Sequence, residues 1–207
     1  MSCLAESLVA KKENRGYDFS FEEDGEEEDD VFQRNAINEI ERYRRIDEWV
    51  ASYHNVYSVT ALECLELLIR NKILPLKTAD FVQYTRPGNA DEVRLKAFSC
   101  LMELGSLKNP TILRYVFYSF AAEPSPYVRD RLWHIIGHGL GHIAIGTSKP
   151  HAQSQQNGGL IVEQEASTES RQAEIARTQT VPGALAALND EIGQSEVFKQ
   201  ALRNALT

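Results

Sequence analysis

Three histidines at four-residue spacing are the side chains of this sequence best suited to metal chemistry: His134, His138 and His142. On a continuous helix this spacing places successive imidazoles close together. A hydrolytic zinc helix would also need a glutamate beside the first histidine, but isoleucine, leucine and glycine separate the three. Because a base and further ligands are missing, we interpret the row as ordinary surface histidines and predict no metal site. A small helical protein that binds metal through this row is the alternative.

Glycines alternate with other residues in the same stretch, at Gly137, Gly139 and Gly141. A glycine inside a helix costs about 1 kcal/mol relative to alanine, so these three predict either a break in the helix or a close helix crossing. A phosphate loop is not indicated, because it would follow a strand and end in lysine and a hydroxyl residue. No nucleophile lies in a recognisable local motif. We therefore predict a chain that is not an enzyme, with no catalytic residue and no cofactor.

The charge of the chain is concentrated in one segment. The net charge is −8, and residues 22–30 carry eight carboxylates, so the remaining acids and bases balance. Nucleic-acid binding normally needs clustered basic residues to neutralise phosphates. The nearest approach is Arg42, Arg44 and Arg45, which lie among acidic residues. Direct DNA contact through these arginines is a third hypothesis.

Membrane insertion and a disulfide framework are both disfavoured by the sequence. Every long apolar stretch is interrupted by charged residues, whereas a spanning helix needs about 20 largely apolar residues, so we predict no membrane partner. The three cysteines cannot all pair with one another. Cys64 and Cys100 occupy apolar positions of predicted helices, where a reduced thiol acts as a small hydrophobe. This pattern is typical of a reducing compartment.

The periodicity of apolar residues predicts an all-α fold without strands. Amphipathic or apolar helices are predicted at six places before residue 146: 32–49, 56–71, 80–84, 90–104, 111–121 and from residue 127 onward. We expect Asn89 to cap the fourth of these and Gly105 to end it. Asn109 and the proline after it are expected to begin the next helix.

Two stretches of the chain repeat one pattern. Residues 81–105 align with 116–140 at a lag of about 35 residues, which suits a two-helix solenoid unit. Val93 and Arg94 then superimpose on Val128 and Arg129, and these helix openings look like the second helices of HEAT-type repeats. The stacked hairpins are expected to align the two arginines with neighbouring aspartates, as a structural ladder.

These patterns divide the chain into four regions. Residues 1–31 are predicted to be a mostly disordered acidic segment, in which residues 1–10 form a frayed or truncated helix and residues 11–30 lack the apolar area that would offset the entropy of ordering. Residues 32–146 form a HEAT-like helical-hairpin solenoid, and 147–180 are a polar linker or weak helix. Residues 181–207 are predicted to form short amphipathic helices.

Three stretches also resemble a known family: IERYRRIDEW at 40–49, FVQYTRPGNADEVRLKAFSCLMELG at 81–105, and SPYVRDRLWHIIGHGLG at 125–141. They resemble the carboxyl-terminal helical-repeat region of the fungal TFIID subunit 2 family, over about residues 32–146. The aminopeptidase-like portion of that family and its His-Glu-x-x-His motif are not found in this sequence. The resemblance therefore implies a fragment or shortened product.

The same resemblance implies a function in transcription. It implies a nuclear, nonenzymatic scaffold of TFIID that supports core-promoter engagement and assembly of the RNA polymerase II preinitiation complex. Other TFIID subunits are the implied partners, with core-promoter DNA contacted only within the assembled complex. The resemblance assigns no individual contact residue.

Overall fold

The computed structural model of the protein describes residues 1–15, 24–146, 175 and 177–206. These residues form helices joined by turns and contain no strand, so the predicted all-α fold class is confirmed. The chain divides into two compact units, Met1–Leu104 and Gly105–Thr207. The region predicted as one repeat domain, 32–146, is thus shared between two units. Within the described ranges, no helix is both long and apolar enough to cross a membrane.

The first unit contains the helices α1 (Ser2–Arg15), α2 (Asp24–Trp49), α3 (Val56–Arg70), α4 (Thr78–Thr85) and α5 (Asp91–Glu103). A short 3-10 turn, Tyr53–Asn55, connects α2 to α3. Helix α3 lies at the centre of the unit, because it packs against α1, α2 and α5, while α4 and α5 pair as a hairpin.

The second unit contains α6 (Pro110–Ala122), α7 (Pro126–Ile145), α8 (Val181–Leu188) and α9 (Glu196–Leu206). Helix α9 packs against α6, and α8 packs against α7. The two short helices predicted within 181–207 are therefore present. The linker predicted at 147–180 falls mostly outside the described residues.

The amino-terminal segment differs from the sequence-based prediction. The helix predicted at 1–10 is present as most of α1, but disorder is wrong for residues 11–15 and 24–30, which belong to α1 and α2. Residues 16–23 lie outside the described part. Ala5 and Leu8 of α1 are buried in one core with Ala36 and Ile40 of α2 and Leu68 of α3. A helix this short is marginal alone, and burial of one face against two neighbours supplies the missing stabilisation.

The helix boundaries predicted at Gly105 and Asn109 are confirmed, and the cap predicted at Asn89 is not. Gly105 follows α5 in the left-handed region at φ 67°, and the side chain of Asn109 accepts a 2.9 Å hydrogen bond from the Thr111 amide at the start of α6. The expected cap of α5 by Asn89 is wrong, because Ala90 occupies the N-cap position. The side-chain amide of Asn89 instead donates to the backbone carbonyl oxygens of Gln83 and Arg86 and closes the loop before α5.

The two aligned stretches share core positions but not every contact. Val93 and Val128 are both buried. Arg94 is also buried and lies 3.4 Å from the Asp91 carboxylate, whereas Arg129 is exposed and has no ion pair among the described residues. The predicted arginine ladder is therefore wrong at Arg129, since only Arg94 has a buried guanidinium that pairs with an aspartate.

The cysteines take the positions that the periodicity predicts. Cys64 and Cys100 are buried and all three thiols are free. Burial raises the pKa of both buried thiols, so they remain protonated and pack as small apolar side chains.

Candidate interaction surface

The turn between α2 and α3 is held by one buried carboxylate. Asp47 accepts hydrogen bonds from the backbone amides of Ser52 at 2.6 Å and Ser58 at 2.8 Å. Ser58 belongs to the first turn of α3, whose amides have no partner inside the helix. Asn55 precedes α3 in the left-handed region and makes no capping bond, so Asp47 supplies the cap from the end of the preceding helix.

The protonation state of Asp47 follows from this arrangement. Burial raises its pKa, but the hydrogen bonds from Ser52 and Ser58 outweigh burial and hold the pKa below its usual value. The carboxylate is therefore ionised at neutral pH, and its charge faces the positive end of the α3 dipole. This contact fixes the direction in which the last turn of α2 meets the connecting turn.

The last turns of α2 present apolar side chains to solvent. Trp49 is 88% exposed and Val50 is 73% exposed, and Ile46 is also open to solvent. Together with Arg42 and Arg45 they line a shallow groove on one face of the helix, and we call these five residues the Trp49 surface. The opposite face of α2 is buried in the core of the unit. Helix α2 thus has a second apolar patch that no described part of the chain covers.

The three arginines of α2 have different surroundings. Arg44 is only 14% exposed, pairs with Glu41 and Glu48, and lies over the Tyr84 ring at 5.4 Å. Arg44 therefore holds α2 against α4 and is not available to phosphate groups. Arg42 and Arg45 both face solvent, at the groove.

The two exposed arginines also differ from each other. Arg42 lies 3.2 Å from Glu39, in an exposed pair of the kind that solvent screens strongly. Arg45 has no ion pair or hydrogen bond in the described part of the chain. The predicted basic cluster thus reduces to two cations beside an exposed tryptophan. Such a pair is small for a nucleic-acid footprint, whereas tryptophan and arginine are the residues that protein interfaces favour.

The second unit carries another groove, between α6 and α9. Phe117 and Phe198 meet there edge to face with ring centroids 5.9 Å apart. Its lining also includes Tyr118, Arg114 and Val197. The groove has one strongly exposed aromatic residue, Tyr118, and nothing in the structure identifies what would occupy it.

The histidine row lies on a helix that the glycines do not break. Helix α7 is continuous through all three glycines, so the break considered from the sequence is wrong. His138 and His142 lie close, with ring centroids 4.4 Å apart. His134 is separate and lies 3.8 Å from the Asp130 carboxylate. The structure therefore brings two of the three histidines together. A pair of imidazoles can hold a metal ion weakly, but a structural zinc site uses four protein ligands.

Periodicity alone did not single out the Trp49 surface. The sequence pattern placed Trp49 among the apolar residues of the amphipathic helix, which usually face a core. The sequence nevertheless contained a signal for an exposed apolar surface. Apolar residues occur on two faces of α2, whereas packing against the core needs only one. The Asp47 contacts could not be read from local spacing, since Ser58 follows Asp47 by eleven residues.

The chain is similar in sequence to proteins of one known family. Residues 23–162 match the family described as TAF2-like, TPR repeats. The chain is 31% identical over 204 residues to transcription initiation factor TFIID subunit 2 of Schizosaccharomyces pombe. That alignment covers 98% of this chain and 17% of the relative, so the chain spans about a sixth of that protein. No solved structure matches the chain. The matched stretches include α2 with the Trp49 surface, α3 to α7, and the turns that join them.

Proposed function

The chain belongs to the TAF2-like family with TPR repeats, and from this membership we propose that it is a nonenzymatic scaffold of the general transcription factor TFIID. It binds other TFIID subunits in the nucleus and supports assembly of the RNA polymerase II preinitiation complex. The observation that carries this proposal is the family match over 23–162, supported by the relative that is named as a TFIID subunit. Two-helix repeats provide extended surfaces that suit such a role.

The Trp49 surface is the site at which we place subunit binding. Its exposed tryptophan, flanking aliphatic residues and two arginines have the composition of an interface centre. Asp47 orients this site from the buried side of the same turn. Promoter DNA is contacted only within the assembled complex, because Arg44, the third arginine of the cluster, is occupied by Glu41 and Glu48.

Replacement of the exposed tryptophan tests this proposal. Trp49→Ala should reduce recovery of TFIID subunits from nuclear extract by about tenfold or more, since truncation of a central interface residue costs about 2 kcal/mol or more. Quantitative mass spectrometry of affinity-purified complexes measures the loss. Circular dichroism and melting should be unchanged, because Trp49 is largely outside the core.

An aromatic residue of the other unit provides the control. Tyr127→Ala removes an exposed aromatic ring on α7, whose centroid lies 5.8 Å from the guanidinium carbon of Arg131, and should leave recovery unchanged. Equal recovery with wild type, Trp49→Ala and Tyr127→Ala would refute binding at the Trp49 surface. Absence of all TFIID subunits from the wild-type sample would refute the scaffold role itself.

Metal binding is the second candidate function, and the 4.4 Å separation of the His138 and His142 rings favours it. If it holds, zinc added to the purified protein binds at one ion per chain, and His138→Ala abolishes this binding. His134→Ala is the matched control and should still bind zinc, because His134 lies against Asp130 instead. Isothermal titration calorimetry measures the binding. Absence of zinc binding in the wild type, or equal loss in both variants, would reject a site at this pair.

A further inference from the structure

We propose that the Trp49 surface binds an acidic segment of a partner protein, in which a carboxylate pairs with Arg45 and a bulky apolar side chain packs on the Trp49 indole. This inference rests on the proposed function, because it names the chemistry of the partner that the surface would take. It follows from the charge of the groove, from its apolar lining, and from the distance along α2 between the groove and the start of that helix.

The charge of the groove is positive although the chain as a whole is acidic. Arg45 is exposed and makes no ion pair in the ranges described, and Arg42 makes only an exposed pair that a partner carboxylate could replace. The one acidic residue in the lining, Glu41, already pairs with Arg44. An unpaired guanidinium therefore remains for a carboxylate, and charge complementarity of this kind sets partner choice and the rate of association.

The apolar part of the groove supplies the second contact. Trp49, Ile46 and Val50 lie beside the arginines and are open to solvent. A purely acidic ligand would leave this area exposed, whereas a leucine or phenylalanine side chain would remove it from water. The groove therefore suits a peptide that combines carboxylates with large apolar residues.

The start of α2 lies far from this groove along the helix. Residues 24–30 form the opposite end of α2, and Asp30 precedes Arg45 by fifteen positions on that continuous helix. A helix rises about 1.5 Å per residue, so the two lie about 23 Å apart along a rigid axis. The start of α2 is therefore not the occupant, and we assign the occupant to another molecule. Nucleic acid fits less well, because two exposed arginines are a small footprint for phosphates and the apolar lining of the groove would stay open to solvent.

Binding of defined peptides to the full chain tests the inference. The probe is a fluorescein-labelled peptide in which glutamate alternates with leucine and phenylalanine, and the matched probe has glutamine in place of every glutamate. Fluorescence anisotropy should show about tenfold tighter binding of the acidic peptide, with a difference that shrinks as salt rises. A peptide with glutamate and alanine alone should bind weakly, since it lacks the apolar contact.

Charge reversal on the protein gives the second arm. Arg45→Glu should weaken binding of the acidic peptide by about tenfold or more, because it replaces an attraction by a repulsion. Arg34→Glu is the matched control, since Arg34 is an exposed arginine of the same helix outside the groove, and it should leave binding unchanged. Both variants alter exposed side chains, so circular dichroism should match the wild type.

Several results would overturn the inference. They are equal affinity for the acidic and glutamine peptides, no effect of Arg45→Glu, or tighter binding of a duplex DNA probe at the same arginines. The chain could instead self-associate through the groove. If Arg45→Glu abolishes that self-association and the acidic peptide does not inhibit it, the occupant is a second copy of the chain.

If Trp49→Ala lowers recovery of TFIID subunits but Arg45→Glu does not, the proposed function stands and the acidic partner is refuted. If the acidic peptide binds as expected but Trp49→Ala leaves subunit recovery intact, the peptide site stands and subunit binding there is refuted.

Discussion

Leu101→Ala should lower the free energy of unfolding by about 2 to 5 kcal/mol. Leu101 lies on α5 with its side chain fully buried, on the same helical stripe as the equally buried Ala97. Removal of the isobutyl group loses the transfer free energy of the buried carbons and leaves a cavity that surrounding helices fill only in part. Urea denaturation monitored by circular dichroism measures the change.

An exposed leucine of the same unit is the control for this experiment. Leu76 lies in the connection between α3 and α4 and is about half exposed, so Leu76→Ala should change stability by less than about 0.5 kcal/mol. A Leu101→Ala protein with the stability of Leu76→Ala would contradict the packing of α5 described above.

Asp47→Ala should destabilise the first unit by about 2 to 4 kcal/mol. It leaves the amides of Ser52 and Ser58 without an acceptor, and a buried donor that loses its partner costs about 1 to 3 kcal/mol. It also removes a negative charge from the amino terminus of α3. The loss should appear in denaturant unfolding at pH 7, where the carboxylate is ionised.

The same carboxylate should make stability depend on pH. Because the folded-state pKa of Asp47 lies below its unfolded value, ionised Asp47 contributes its full stabilisation above about pH 4 and loses it as the pH falls through the folded-state pKa. Asp47→Asn should therefore be less stable than the wild type at pH 7, and the difference should shrink towards pH 2.

Asp80→Asn is the control for the pH experiment, since Asp80 is exposed in the first turn of α4. It should keep the pH dependence of the wild type. Parallel stability curves for Asp47→Asn and the wild type between pH 2 and 7 would show that Asp47 does not titrate as described. Such a result would also remove the reason to treat this residue as the support of the Trp49 surface.

The sequence alone determined the helical fold class and most helix positions. Apolar spacing identified α3 and α5 to within about one residue at their ends, and the glycine and asparagine punctuation marked the end of α5 at Gly105 and the start of α6 at Asn109. These features are local, because a helix forms from contacts three and four residues apart and a cap reaches only a turn further. The repeat and the family resemblance were also visible in the sequence, because both consist of local patterns of residues along the chain.

Only the tertiary structure decided which apolar and charged residues are free to bind. Local pattern predicted only a frayed or truncated helix at 1–10, but burial of Ala5 and Leu8 by other helices stabilises α1 as far as Arg15. Pattern also grouped Arg44 with Arg45, and the structure separates them, because Glu41 and Glu48 occupy one guanidinium and not the other. Exposure and pairing depend on neighbours that are distant in the chain, so periodicity predicts that a helix has apolar faces while packing selects the face that remains open.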